Sequence, residues 1–259
     1  MISPRPLNQS ERVIRQYQAL VQKVIMRFWA RNKSPHGAVD WRDREHRYET
    51  LYTERLYAVW AGVMLRASRI KVKKKFIQAD DAFVEWLRSY APILAANLAN
   101  VDKEGLEAAM RLYATDPQTA SAIMANSVNL RPDQVMSLGR RAETARSRGY
   151  TGDALNESIQ RWEFEALSNR AKMIAVTELN RGYIEAQEIS IKSAVKDGLM
   201  SGNIAKVWET AEDELVCDVC GPMDGESVPL SEDFDIEGGK PPAHPWCRCT
   251  VNYENWGTE

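Results

Sequence analysis

Hydrophobic positions divide this chain into two kinds of pattern. Through the first two thirds, apolar residues return every three or four positions, the period of a helix with one buried face. In "SERVIRQYQALVQKVIMRFWAR" they fall at Val13, Tyr17, Leu20, Val24 and Phe28, with Ser10 as the expected N-cap. "NKSPHG" (32–37) ends that segment. A second helix is predicted from about Asp40 to Val72, with Tyr48, Leu51, Tyr52, Val59, Trp60 and Val63 on its inner stripe. Shorter helices are predicted near 79–90, 102–114, 117–128 and 132–148, because "APIL", "TDPQ", "NLRPD" and "RGYTGD" carry proline or glycine between them. The next stretch, "ALSNRAKMIAVTELNRGYIEAQEISIKSAVKDG", reads as one long helix capped by Ser168 and closed by Asp197-Gly198. Its expected inward face is Met173, Ile174, Thr177, Ile184, Gln187, Ile191 and Ala194. Glu178 lies beside that face, where an ion pair with a neighbouring arginine is expected rather than a catalytic acid.

After Gly202 the period shortens. "AKVWETA", "ESVPL" and "CTVNY" read as short strands, separated by segments rich in glycine, proline and aspartate. Too few apolar residues lie between 209 and 245 to build a core of their own, which argues for a metal staple. The predicted fold is therefore mainly α: an N-terminal and central helical region with a small C-terminal α+β module made of a β-hairpin and a zinc knuckle. The predicted organisation is a basic helical region over 1–130 and a second domain over 131–259, whose Cys/His module spans 203–252.

Composition adds two constraints. With 259 residues, 44% of them hydrophobic and 27% charged, the chain can bury a sizeable core. No apolar run reaches the roughly 18 residues needed to span a bilayer, and "MISPRPLNQSER" lacks the apolar stretch of a secretory signal. A reducing cytoplasm is the expected setting, with no membrane partner. The net charge of −2 hides a strong asymmetry. Residues 1–75 hold 17 basic and 6 acidic side chains, whereas Glu209–Glu237 holds 11 acidic and no basic ones. One end could lie against nucleic acid and the other against a basic partner. "KVKKK" supplies the only dense basic run, and Lys71, Lys73, Lys74 and Lys75 are its candidate contacts to DNA or a partner. An N-terminal helical region with solvated charged faces is the preferred reading of the asymmetry, because arginines scattered along helices are common and only this run is dense.

The chemistry of the tail is concentrated. All four cysteines and one of three histidines lie in "CDVCGPMDG" (217–225) and "HPWCRC" (244–249). A Cys-x-x-Cys turn brings two thiolates onto one ion, and Gly221 after it is expected to supply a positive φ. Cys247 and Cys249, two residues apart, would point the same way on a strand while Arg248 points away. Cys217, Cys220, His244, Cys247 and Cys249 are thus five candidates for four tetrahedral positions. The two sets that satisfy them are Cys217, Cys220 and His244 with one of the last two cysteines, or all four cysteines. Four protein ligands make a closed, structural site, with one zinc per chain. Without a metal, the same residues would be disulfides or small buried side chains.

Enzymatic constellations are missing. His-Asn-His nucleases wrap zinc knuckles around a catalytic hairpin, and "VPLSEDFDIEGG" faintly echoes their "PLS…GG" stretch, but no histidine precedes it to act as general base. A deaminase would need His-x-Glu before Pro-Cys-x-x-Cys, and the chain has none. Neither a phosphate-binding glycine loop nor a Gly-x-Ser-x-Gly elbow occurs, and His36 and His46 have no partnered nucleophile. No enzymatic activity is expected.

Three segments, in order, resemble the Mu F-like minor head proteins of tailed phages, also called head morphogenesis proteins. "RAKMIAVTELNRGYIEAQ" (170–187) is similar to that family's Arg-x-x-x-Ile-Ala-x-Thr-Glu helix. "VWETAEDELVCDVCGPMDGESV" (207–228) resembles its Trp, acidic turn, Cys-x-x-Cys and Asp-Gly pattern. "PPAHPWCRCTV" (241–251) resembles its Pro-x-x-His-Pro-x-Cys-Arg-Cys ending. The likeness covers about residues 130–252, and the first 130 residues match no family. The resemblance implies a virion protein present in few copies, at the portal vertex or capsid interior, and in the host cytoplasm during assembly. Its implied partners are the portal protein, the major capsid or scaffold protein, and packaged double-stranded DNA bound without regard to sequence. The alternative is an injected effector or metal-dependent nuclease with a zinc-stabilised tail, whose activity would have to lie in the unmatched residues.

Overall fold

The computed structural model describes residues 9–31, 40–67, 77–126 and 129–256. Among these it contains six α-helices followed by a three-stranded sheet. The helices are α1 (Gln9–Arg31), α2 (Trp41–Ala67), α3 (Ile77–Tyr113), α4 (Pro117–Asn126), α5 (Pro132–Ser147) and α6 (Gly152–Lys196). The strands are β1 (Ile204–Glu209), β2 (Ser227–Pro229) and β3 (Thr250–Asn255), so the mainly helical class with a small C-terminal β element holds.

Helix starts follow local chemistry. The Asp40 carboxylate accepts the N–H groups of Arg42 and Asp43 ahead of α2. The Asp116 carboxylate accepts that of Thr119, with Pro117 at the first position of α4. Pro132 opens α5, where the Gln134 side chain accepts the Arg131 N–H. Gly198, at φ 68°, closes α6 as expected.

Four expectations need correction. α1 begins at Gln9, so Ser10 lies inside the helix and not at its cap. Among the described side chains of α1 the buried row is Val21, Ile25 and Trp29, one residue later than the predicted Leu20, Val24 and Phe28, and Leu20 is 54% exposed, while Val13 and Tyr17 lie outside the described side chains. Both rows are apolar, and the one that wins carries Trp29, whose indole N–H donates to the Tyr48 hydroxyl at 2.8 Å. The two helices predicted near 79–90 and 102–114 are one, because the buried row Phe83, Leu87, Ala91, Leu94, Ala95 and Ala99 keeps its helical phase through Pro92. An internal proline costs about 3 kcal/mol, and an uninterrupted apolar face of this length offsets it. The long helix likewise starts at Gly152, not at the Ser168 cap. Ser168 sits in its interior and accepts the Gln22 side-chain amide. The predicted row of α2 holds at Tyr48, Leu51 and Tyr52, all buried.

The chain divides into two compact units. One comprises residues 21–53 and 89–172, with a core of Ile123, Leu130, Val135, Leu138, Leu155 and Ile159 from α4, α5, α6 and the 129–131 segment. Gly105 of α3 backs onto the Leu130 carbonyl so closely that a β-carbon would lie 1.7 Å from its oxygen. Nearby, the Asp102 carboxylate is completely buried and accepts from Arg44, Arg170 and the Tyr48 hydroxyl at 2.6 to 2.8 Å.

The other unit comprises residues 1–20, 54–88 and 173–259. Its sheet has the order β2-β1-β3, antiparallel throughout, with Lys206 opposite both Val228 and Tyr253. Its core joins Ile184 of α6 to Trp208, Phe234, Val251 and three cysteines, with Trp208 and Phe234 edge to face. The apolar surface missing between 209 and 245 is thus supplied largely by α6 and β1.

Candidate metal centre

The two sequence fragments meet. Cys217 and Cys220 lie on the loop after β1, where the Cys220 N–H reaches the Cys217 sulfur at 3.4 Å. Gly221 does not take the positive φ expected of it. It opens a single 3-10 turn (Gly221–Met223), and its N–H donates to the Cys217 carbonyl at 2.8 Å. The left-handed position falls instead on Gly225, φ 78°, where the chain turns into β2. Cys247 and Cys249 precede β3 instead of lying on it, yet both thiols are buried as the alternation required.

His244 Nε2 stands 3.1 Å from Cys217 Sγ and 3.2 Å from Cys220 Sγ, and Cys220 Sγ is 3.8 Å from Cys247 Sγ. Two triads, Cys217–Cys220–His244 and Cys220–Cys247–Cys249, each keep their ligand atoms within 4.8 Å of one another. Cys220 belongs to both. These groups are close enough to hold a metal ion. Zn–S bonds of about 2.3 Å at tetrahedral angles put two sulfurs about 3.8 Å apart, the Cys220–Cys247 separation, and set a sulfur–nitrogen edge near 3.5 Å. The two imidazole contacts are only a few tenths of an ångström inside that edge.

Proton affinities describe the crowding. The hydrogen bond from Cys249 first, with further bonds against the opposing effect of burial, draws the Cys247 thiol down to about 5. Burial and the adjacent Cys247 charge push Cys220 up to about 12, and Cys249 also rises, through its bond to Cys247 and burial. Burial opposes ionisation of Cys217, but hydrogen bonds from the Cys220 and Val219 backbone outweigh it and lower its pKa. Burial lowers and the Pro245 carbonyl raises the affinity of His244, with the neighbouring thiolates tipping it upward. By themselves the thiols cannot all ionise; a dication among them reverses that balance.

A second layer of contacts fixes the ligand loops to α6. Thr177 Oγ1 accepts the Trp246 N–H at 3.0 Å, and the Asn180 side chain donates to the Cys249 carbonyl at 2.8 Å. Arg181 donates to the Pro242 carbonyl at 3.2 Å. Trp246 takes a left-handed φ of 68°, a strained position for a bulky side chain, next to the bond from Thr177. Arg248 points away from the sulfurs, as predicted, and is held by Asp213 through two bonds of 2.6 Å. Behind the module, Lys240 bridges Glu185 and Glu188 at 2.9 and 3.0 Å, and the buried Lys206 lies 3.3 Å from Asp233.

Sequence reasoning missed Asn180, Arg181 and Asp213, and took Thr177 only as a core position. For the residues on α6 a signal was available: Thr177, Asn180 and Arg181 are spaced three and four apart, and the first two are polar positions on a buried row; Asp213 carried none. Glu178 pairs with Arg181 at 3.7 Å, the ion pair expected. The Lys71, Lys73, Lys74 and Lys75 run and His36 lie outside the described residues, while His46 is exposed on α2. No helix among the described residues is long and apolar enough to cross a membrane.

Residues 137–252 match the family model described as Phage Mu protein F like protein, so this part of the chain is similar to that family. No curated protein and no solved structure gives a match.

Proposed function

We infer from the Mu F-like region over residues 137–252 that the protein is a minor capsid, head morphogenesis protein of a tailed bacteriophage. In this reading it sits at the portal vertex, lies against packaged DNA, and assists head assembly or DNA delivery without catalysing a reaction. The observation that carries the reading is the family match itself, which ends on the Cys/His cluster.

Four of Cys217, Cys220, His244, Cys247 and Cys249 hold one zinc, which supplies a closed structural cross-link and no open position for substrate. The protein's own residues do the rest. Thr177 and Asn180 orient the ligand loops, and the Asp213–Arg248 fork holds the acidic turn against them. What the module then presents is charge: Glu212, Glu214, Asp218, Glu226, Glu232, Asp235 and Glu237 are all exposed. An acidic face of that kind suits a basic patch on the portal, the major capsid or the scaffold protein.

Quantitative mass spectrometry of purified particles tests the reading. A copy number near or below that of the portal subunit is expected. Absence from particles overturns it, and a plasmid-nicking assay with divalent metal then addresses the injected-nuclease alternative.

A further inference from the structure

The arginines of the helical unit fall into two groups. Arg44 and Arg170 share Asp102, Arg131 pairs with Asp133, and Arg146 forks onto Asp116 with two bonds of 2.7 Å. These are structural. Arg140, Arg141, Arg148 and Arg161 are exposed, and none makes an ion pair among the described residues. All four line one groove of about 440 Å³ between α5 and the start of α6, and no acidic side chain lines it with them.

Helix geometry explains the gathering. Arg140 and Arg141 lie on α5 and Arg148 caps its C-terminal end, at spacings of one and seven, with Ser137 and Thr144 lining the same groove. Arg161 and Trp162 face them from α6. The α5–α6 turn is pinned: the Tyr150 N–H donates to the Ala145 carbonyl, and Gly149 takes a φ of 88° that a side chain would resist. Trp162 is half-buried against the unit's core and forms a floor, leaving Tyr150 as the groove's exposed ring. Four like charges line the groove with no acidic side chain among them, a repulsion that a polyanion would relieve.

We propose that this groove binds the phosphodiester backbone of double-stranded DNA. From Arg140 to Arg148 at the helix end the chain advances about 12 Å, a little over three steps of 3.4 Å along the duplex axis, which spans about four successive phosphates of one strand. One exposed ring provides no stacking platform for a single strand, so the contact is to backbone charge and not to bases. The proposal rests on the reading of a head protein beside packaged DNA for the identity of the polyanion, and it puts a DNA contact inside the Mu F-like region, separate from the lysine run.

The test uses the full chain with a short fluorescent duplex of arbitrary sequence, read by anisotropy across a salt series. Each neutralised phosphate contributes about −0.9 to the slope of log affinity on log salt, so four arginines contribute about −3.6. Between 50 and 200 mM salt that slope corresponds to a loss of about 100-fold. Replacing all four by glutamine (Arg140→Gln, Arg141→Gln, Arg148→Gln, Arg161→Gln) is expected to remove that share, and each single replacement about a quarter of it. Unchanged circular dichroism shows that the variant folds. Replacing Lys71, Lys73, Lys74 and Lys75 by glutamine is expected to leave the groove's share intact. An unchanged slope in the arginine variant overturns the proposal. So does competition by polyglutamate as effective as that by DNA, which would assign the groove to an acidic protein. A wild-type chain that binds no DNA yet is counted in particles overturns the groove alone and leaves the head assignment standing.

Discussion

Replacing Cys220 by serine tests the metal centre at the one residue common to both ligand triads. Whichever four groups close on the ion, Cys220 is among them. Cys249→Ser spares a site built from Cys217, Cys220, His244 and Cys247, whereas His244→Asn spares the all-cysteine site. Zinc binds thiolate-rich structural sites with about 10–16 kcal/mol of apparent free energy at neutral pH. An ion held about a thousandfold above its dissociation constant stabilises the folded state by about 4 kcal/mol. In chains of this size each kcal/mol moves Tm by about 2–4 °C, so zinc removal lowers Tm by about 8–16 °C. The assay pairs metal content by plasma mass spectrometry in reductant with calorimetry before and after chelation. One zinc per wild-type chain is expected, and none in Cys220→Ser. A Cys220→Ser protein that keeps one zinc, or a wild-type Tm indifferent to chelator, refutes the reasoning.

Three further outcomes are expected. Asp102→Asn strands two buried guanidinium groups and should cost about 3–5 kcal/mol in urea denaturation, with zinc content unchanged. Thr177→Val leaves the Trp246 N–H without its acceptor, so zinc affinity, measured by competition with a chromophoric chelator, should fall about 10- to 100-fold. Acidification should weaken the C-terminal unit through Glu188. Burial there favours the neutral acid, but bonds from Lys192 and Lys240, with the Lys206 charge, outweigh it and lower the pKa below the ordinary glutamate value. A lowered carboxylate pKa gives stability that is present above the unfolded value and lost as pH falls through the folded one. Urea midpoints should therefore drop below about pH 4.5, and Glu188→Gln should flatten that part of the profile.

The helices were legible where burial is one-sided and the breaks carry proline or glycine outside an apolar row. Pro92 misled because a local signal competes with tertiary burial, and the continuous row from Phe83 to Ala99 wins. In α1 two adjacent apolar rows were available, and only the partner of Trp29 decides between them. Cysteine spacing was enough to expect the Cys/His cluster that the fold brings together, since thiols have few other reasons to gather in so short a stretch. The helix spacing marks Asn180 as a polar position on a buried row, but its partner and that of Asp213 were hidden, because they act on backbone and guanidinium groups 69 and 35 positions away and no local pattern encodes such a pairing. The arginine groove was hidden for a related reason. An arginine with a carboxylate partner and one without look alike in sequence, and the fold alone separates Arg146 from Arg148.

A metal held by the Cys/His cluster, as proposed, would couple to the tail's acidic charge, and that coupling yields a last prediction. The loop from 209 to 245 has little apolar surface, so its exposed carboxylates keep fixed positions only while the ligand cluster, the Asp213–Arg248 fork and the Lys240 bridge hold it to α6 and β1. Chelation leaves the carboxylate count unchanged but releases their arrangement. If a partner such as the portal protein reads only net charge, capture of it by the chain should survive chelation and fall with salt alone. If it reads the shaped face, as proposed, capture should be lost on chelation at constant salt and return when zinc is restored. Retention of the partner by fully chelated protein would reduce the metal to a stabiliser of the tail with no part in recognition.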